Sequence, residues 1–349
     1  MQTLLRTVDP AAPELNMEAM QEAARVIQRG GLVAFPSETV YGLGADALNP
    51  SAVAKIYAAK GRPSDNPLIA HVARAADVDT LVSHVSNDAK RLMDAFWPGP
   101  LTLILPKTDI VPDITSGGLA TVAVRCPAHP AARLLIDLAG TPIAAPSANA
   151  SGRPSPTRAS HVVFDMDGKI DMILDGGASA VGLESTIVDV SGQSARVLRP
   201  GSITKEMLED VLGYTIADPG VNTPLADDEA PIAPGMKYKH YAPTAKVIIV
   251  SGALDRVVAE INRMAVSSAE SVGILATEQT KDSYAAGQVL VMGDRNQPET
   301  IAHNLFKTLR QCDFLGMTLV YAEPFGETAI GQAVMNRLQK AAGYHIIEV

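Results

Sequence analysis

Apolar residues recur at two different spacings along these 349 residues. Met17, Met20, Ala24 and Ile27 share one helical face, so the pattern predicts a helix over 17–29, capped by Asn16 and stopped by Gly30-Gly31. Leu32-Val33-Ala34-Phe35 is a short unbroken apolar run closed by Pro36, which predicts a strand feeding a loop from Ser37 to Gly44. Asn49-Pro50 opens a second helix reaching about residue 59, because proline suits a first helical turn. Further strands are expected at 68–72, 101–105, 121–125, 142–145, 170–174, 185–190 and 196–198, with helices near 87–96, 130–139 and 158–164. Several of these strands follow one another without an intervening helix, so residues 1–215 read as an α/β domain with a twisted mixed sheet.

The rhythm changes after residue 245. Strand-like runs at 246–250, 271–276, 289–292 and 317–321 are separated by helix-like 253–265 and 299–311, and a helical pattern occupies 328–342. Strands alternating with helices predict a smaller Rossmann-like parallel α/β domain over 245–349. Its first strand is followed by Ser251-Gly252-Ala253 and not by Gly-x-Gly-x-x-Gly, so no NAD site is expected there. Between the two domains, 206–230 is rich in proline and acids, has no apolar periodicity and reads as the domain boundary, with 216–244 as the linker.

Charge sharpens that boundary. The chain carries a formal net charge of -9, yet residues 31–205 hold 15 basic and 16 acidic side chains, while 206–230 hold seven acidic and no basic ones. This balance argues against a protein that grips nucleic acid through an overall basic surface. No apolar run approaches the ~20 residues that span a bilayer, and no secretion signal opens the chain, so a cytoplasmic protein without membrane attachment is expected. The two cysteines, Cys126 and Cys312, fall in different expected domains and lack zinc-site spacing, so both read as reduced and structural, with no zinc.

Three segments concentrate polar chemistry. Lys60-Gly61-Arg62-Pro63-Ser64-Asp65-Asn66 sets two cations around a glycine and before a stiffening proline. Pro146-Ser147-Ala148-Asn149-Ala150-Ser151-Gly152-Arg153-Pro154-Ser155 supplies hydroxyl and amide groups just past an apolar strand. Upstream lies Pro36-Ser37-Glu38-Thr39-Val40-Tyr41-Gly42-Leu43. In Thr121-Val122-Ala123-Val124-Arg125, alternation sets Thr121, Ala123 and Arg125 on one face, which suits a pocket wall where the alanine leaves room for a ligand.

Together these segments resemble the threonylcarbamoyl-AMP synthase family, with its YrdC-like domain, in the long two-domain branch. The resemblance implies a concave pocket and a nucleotidyltransferase, an L-threonylcarbamoyladenylate synthase. Such an enzyme joins L-threonine, bicarbonate or carbon dioxide, and ATP into threonylcarbamoyl-AMP and pyrophosphate, for modification of adenosine 37 in tRNA. It implies Lys60 and Arg62 as the catalytic cations. Arg62, Asn66, Thr121, Ser147, Ser155, Arg199 and Tyr241 would bind ATP, and Thr39, His71, Arg125, Ala145 and Ser185 would bind L-threonine. Asn149 matches the family's Ser-x-Asn element. Pro234-Gly235-Met236-Lys237-Tyr238-Lys239-His240-Tyr241-Ala242-Pro243 is similar to the branch's linker, which would fold over the active site. Magnesium is expected to arrive with ATP, with no ligand nameable from the sequence. A transient contact with a tRNA threonylcarbamoyl transferase complex, and weak tRNA binding, are further expectations.

Two other readings use the same residues. Lys60, Arg62, Arg125 and Arg199 could line the basic concavity of a double-stranded RNA or tRNA binding module, against which stands the balanced charge of 31–205. A carbamoyltransferase of the hydrogenase-maturation type contains a related domain, but its added zinc-binding and acylphosphatase modules have no counterpart here.

Overall fold

The computed structural model describes residues 2–218, 240–326 and 329–349. The chain divides into two compact units, one of Met1–Ser151, Ser155–Ala180 and Glu184–Lys237, the other of Gly152–Pro154, Val181–Leu183 and Tyr238–Val349.

In the first unit the strands are β1 (Leu4–Thr7), β2 (Val33–Phe35), β3 (Gly42–Asp46), β4 (Ile69–His71), β5 (Leu101–Pro106), β6 (Thr121–Arg125), β7 (Ile143–Ala144), β8 (Met172–Asp175), β9 (Thr186–Asp189) and β10 (Arg196–Arg199). They form one sheet in the order β1-β8-β2-β3-β7-β4-β6-β5-β9-β10. Both parallel and antiparallel pairs occur within it, as the expected mixed sheet requires. Its helices include α1 (Met17–Gln28), α2 (Pro50–Lys60), α3 (Asn87–Phe96), α4 (Asp113–Ser116), α5 (Pro130–Ala139), α6 (Ala159–Met166) and α7 (Lys205–Leu212).

Sequence dictates these ends through specific groups. The Asn49 side chain accepts from Ser51 N and Ala52 N at the start of α2, and Gly61 ends it with φ +62°, where a Cβ would strain the backbone. Asn16 does not cap α1: its Oδ1 accepts from Asp9 N at 2.8 Å instead, because a short 3₁₀ turn, Pro13–Asn16, runs straight into the helix.

The expected loop from Ser37 to Gly44 is in part a strand, β3. Apolar alternation cannot reveal it, because glycines stand where side chains would collide: a Cβ on Gly44 would lie 2.7 Å from Ile143 Cγ2, and one on Gly42 2.9 Å from the Phe35 ring. Strand β1 and helices α4 and α7 are also additions to the expected elements.

Burial separates the sheet's surfaces. Val122, Val124, Leu103 and Leu105 join the largest core, which includes residues of α2, α3, α6 and α7. Val33, Phe35, Met172 and Leu174 pack with α1 and α5. Ile69, Ile104, Ala123, Ile187 and Leu198 make a third, small cluster whose members all come from strands. That strand-only patch is the floor on which the candidate site stands.

The second unit carries β11 (Lys246–Ser251), α8 (Leu254–Ser267), β12 (Val272–Ala276), β13 (Gln288–Val291), α9 (Pro298–Phe314), β14 (Leu319–Ala322), α10 (Ile330–Ala341) and β15 (Ile346–Glu348). These strands run parallel in the order β13-β12-β14-β11-β15, the parallel sheet expected from alternating strands and helices. Strand β15 went unforeseen. At the carboxyl ends of β12 and β14, the buried Glu323 accepts from Tyr284 OH at 2.5 Å and Thr277 Oγ1 at 3.2 Å and pairs with Arg295, so its charge is matched within the unit. Both cysteines are free and buried. Among the described residues no helix is long and apolar enough to cross a membrane.

Candidate active site

Sheet register assembles the site. In the parallel pair β4–β6, Ile69 stands beside Ala123 and His71 beside Arg125, so ring and guanidinium share the face of the small apolar patch. Register between β5 and β9 sets Thr102 beside Ile187, and β10 sets Arg199 beside Ile187, which brings Thr102 and Arg199 to that face as well. Ser185, two residues before Ile187, joins them: its Oγ lies 2.7 Å from Thr102 Oγ1 and accepts from Arg199 Nη2 at 3.2 Å. Arg199 Nε also donates to Ser185 O at 3.1 Å.

Arg125 is the hub of one end. Buried at 4% exposure, it donates from Nε to Gly99 O at 3.2 Å, from Nη1 to Thr39 Oγ1 at 2.8 Å and from Nη2 to Glu38 Oε1 at 2.6 Å. A guanidinium has five N–H donors, so one hydrogen remains on each Nη for a ligand. Thr39 is oriented in turn. The Ser37 hydroxyl donates to Val40 O at 2.6 Å, so Thr39 Oγ1, 2.9 Å away, gives its proton to Ser37 Oγ. Ala128 N also donates to Glu38 Oε1, at 3.1 Å. Burial pushes the Glu38 carboxyl up, but the Arg125 charge and these donors outweigh it and hold the group below its ordinary value, so it is ionised at neutral pH.

His71 is buried and neutral. Its Nδ1 faces two carbonyl oxygens, Ile69 O at 3.0 Å and Ile143 O at 3.3 Å, which only accept, so Nδ1 carries the proton and Nε2 the lone pair. Burial, then the Arg125 charge, brings its pKa down to about 3. The Phe35 ring meets it edge-on, with centroids 6.0 Å apart. Ala145 follows β7 and is fixed by its N–H, which donates to Ile69 O at 2.9 Å on the neighbouring β4.

The two motif segments meet at the other end. Lys60, the last residue of α2, turns inward: its ammonium donates to Ser147 O at 2.5 Å, Asn149 O at 2.6 Å and Asn149 Oδ1 at 3.4 Å. The Asn149 amide donates to Ala150 O at 2.9 Å, and Ser151 N donates to Lys60 O at 2.9 Å, which closes the link in both directions. Lys60 therefore braces the Ser147–Asn149 turn. Arg62 Nη2 donates to Asn66 O and Pro67 O at 3.3 and 3.2 Å, folding 62–67 into a compact loop, and Tyr57 OH donates to Asn66 O at 3.0 Å. The Asn66 carboxamide is buried at 1% exposure, and neither its oxygen nor its nitrogen has a hydrogen-bond partner. Such a group calls for a ligand.

Ser155 is buried and donates to Glu184 Oε1 at 2.5 Å. Thr121 is half-buried at the start of β6, opposite Pro106 and on the same face as Arg125. Tyr241 belongs to the second unit, where it lies 5.1 Å from the Phe306 ring with a φ of +66°, a conformation rare outside glycine. Residues 234–239 of its motif lie outside the described residues.

Sequence reasoning passed over Glu38, Thr102 and Gly99 O as partners of the pocket. Only the acid's position directly before Thr39 hinted at the first. No group of three or more His, Cys, Asp and Glu side chains able to hold a metal occurs among the described residues. Magnesium carried by a triphosphate takes most of its ligands from phosphate and water, so this donor set is compatible with it.

The arrangement offers a grip for a carboxylate at Arg125, a neutral ring beside it, the Thr102 and Ser185 hydroxyls on the same sheet face, and the Asn66 carboxamide in the loop before β4. Comparison with known proteins agrees in extent. A family described as "Telomere recombination" matches residues 25–201, and one described as "Threonylcarbamoyl-AMP synthase, C-terminal domain" matches 203–343. The threonylcarbamoyl-AMP synthase of Pyrococcus abyssi is 49% identical over 94% of this chain and 95% of its own length. That of Bacillus subtilis is 47% identical over 95% of each. The crystal structure of P. abyssi Sua5 complexed with L-threonine superposes with a TM-score of 0.93 at 46% identity, covering 99% of this chain and 100% of that one. On this likeness along nearly its whole length, the chain belongs to the threonylcarbamoyl-AMP synthase family.

Proposed function

We infer that the protein is an enzyme that condenses L-threonine, bicarbonate or carbon dioxide, and ATP into threonylcarbamoyl-AMP, releasing pyrophosphate. The observation that carries this reading is the buried Arg125, held by Gly99, Thr39 and Glu38 with one N–H left on each Nη. That is a two-point grip for the threonine carboxylate. The neutral His71 offers a hydrogen-bond acceptor to the amino acid without adding a second positive charge.

The reaction needs no protein nucleophile. The threonine amine bonds to the carbon of carbon dioxide, supplied directly or by loss of water from bicarbonate, as one C=O π bond opens onto oxygen and the nitrogen releases a proton to solvent, which gives an N-carboxylate. One of its oxygens forms a bond to the α-phosphorus of ATP while the bond from that phosphorus to the bridging oxygen breaks, so pyrophosphate leaves with the electron pair. The protein's work is then to juxtapose the partners and meet the phosphate charge. In this scheme Thr39, His71, Arg125, Ala145 and Ser185 hold threonine. Arg62, Asn66, Thr121, Ser147, Ser155 and Arg199 meet ATP, with Tyr241 assigned to the nucleotide on the family likeness. Lys60 and Asn149 keep the Ser147 turn in place, a positioning role supported by the hydrogen bonds of Lys60 to that turn. Magnesium would arrive with ATP and neutralise phosphate charge, and Asp65 and Glu184 directly precede the assigned Asn66 and Ser185.

The adenylate is consumed in the cytoplasm by a transferase that acts on adenosine 37 of tRNA. Residues 1–215 act as the catalytic domain, 216–244 as the linker and 245–349 as the second domain. Purified protein given ATP, magnesium and bicarbonate should release pyrophosphate only when L-threonine is added, and Arg62→Ala and Arg125→Ala should each lose most of that release. Threonine-independent release, or none with salt-dependent RNA binding intact, would overturn the assignment.

A further inference from the structure

One carboxylate oxygen in the wall of the pocket has no donor. Glu38 Oε1 takes hydrogen bonds from Arg125 Nη2 and Ala128 N, whereas Oε2 is buried and accepts from nothing. An ionised oxygen left in that state costs on the order of several kcal/mol, so its persistence calls for an explanation. The side chain as a whole keeps 12% of its surface exposed, so Glu38 lies close to solvent although Oε2 itself is buried. The terminal torsion of a glutamate is broad, so a small rotation turns Oε2 outward.

We propose that Glu38 receives the α-nitrogen of the amino-acid substrate on Oε2, so that Glu38 and Arg125 together select a free α-amino acid by its paired charges. This rests on the function proposed above and adds a group to it. Arg125 alone would accept any carboxylate of the right shape. With an acceptor beside the guanidinium, the site has a negative pole next to a positive one, which matches the ammonium and carboxylate borne by the one α-carbon of an amino acid. The two poles are also tied by the bond between Glu38 Oε1 and Arg125 Nη2, so their spacing is set before ligand arrives. The same acceptor suits the N–H that remains after the nitrogen has taken up its carboxylate. Glu38 is an acceptor in this role and carries no proton, in keeping with a carboxyl held ionised by its cationic neighbour.

Glu38→Gln separates this role from a structural one. The Gln oxygen must take the place of Oε1, because both donors there persist, so the amide N–H₂ occupies the Oε2 position and presents donors where an acceptor stood. The measurement is calorimetric binding of L-threonine and of its analogue with hydroxyl in place of the α-amino group, to wild type, Glu38→Gln and Glu38→Asp, with ATP binding as the check on folding. Wild type should prefer threonine, and Glu38→Gln should weaken threonine binding about 10- to 100-fold while leaving the analogue nearly unchanged. Glu38→Asp, which keeps the charge but withdraws it, should retain part of the preference. If Glu38→Gln weakens both ligands equally, Glu38 merely supports Arg125 and the inference fails. Full preference retained in both variants also overturns it. A wild-type protein that binds no threonine would overturn the proposed function itself.

Discussion

Replacing Lys60 by methionine keeps the aliphatic stem and removes the ammonium. At least two main-chain carbonyls, Ser147 O and Asn149 O, then lose a donor that now lies 2.5 and 2.6 Å away in a site only 5% exposed. Leaving buried acceptors unmet costs about 1–3 kcal/mol each, and relief from burying a charge returns part of that. A net loss of about 2–4 kcal/mol is expected, equivalent to roughly 5–10 °C in the melting of a unit of this size. Scanning calorimetry on wild type and Lys60→Met reads it directly, and hydrogen exchange at Ser151 N, which bonds back to Lys60 O, reads the loosening locally. The opposite expectation follows if Lys60 is a cation kept for an incoming phosphate: an ammonium without structural partners burdens the fold, and its removal raises the melting temperature. An unchanged or higher melting temperature would therefore refute the bracing argument.

Other perturbations test the rest of the site. Arg125→Ala strands the Glu38 carboxylate and should destabilise the fold by about 3–5 kcal/mol, whereas Arg125→Leu combined with Glu38→Leu should recover part of the loss; denaturant titration of both variants checks this. His71, at about 3 against 6.5 for a free ring, is protonated in the unfolded chain before the folded one, so its contribution is complete above pH 6.5 and is lost as pH falls towards 3. His71→Gln should flatten the acid limb of the stability curve by roughly 4 kcal/mol over that span, and an unaltered limb would count against a buried neutral ring. A Cβ on Gly201 would lie 2.5 Å from Thr186 N, so Gly201→Ala should cost about 1–3 kcal/mol and raise the KM for threonine by displacing Ser185, as melting and steady-state kinetics would show.

The start of the helix at Asn49-Pro50 was legible in the chain, because the signal there is local. So was the face shared by Thr121, Ala123 and Arg125, since alternation in a strand needs no partner to be read. Strand β3 was hidden for the opposite reason: Gly42 and Gly44 are there to admit Phe35 and Ile143, and a glycine leaves no trace of what it makes room for. The inward turn of Lys60 was equally illegible, because a lysine before a glycine at a helix end looks the same whether it faces solvent or a carbonyl 87 residues away. Glu38 and Arg125 are also 87 residues apart, and nothing in either neighbourhood announces the other.

Thr39, His71, Arg125 and Ser185 are remote in sequence, yet one sheet gathers them: His71 and Arg125 end the adjacent strands β4 and β6, Thr39 bonds to Arg125 from between β2 and β3, and Ser185 directly precedes β9. The pocket depends on the pairing of these strands, since separating any of them breaks the arrangement. Occupancy by threonine is thereby coupled to complete unfolding of the first unit and not to local fraying. Saturating ligand should slow amide exchange at the slowest-exchanging positions of β4 and β6 while leaving the ends of the helices untouched.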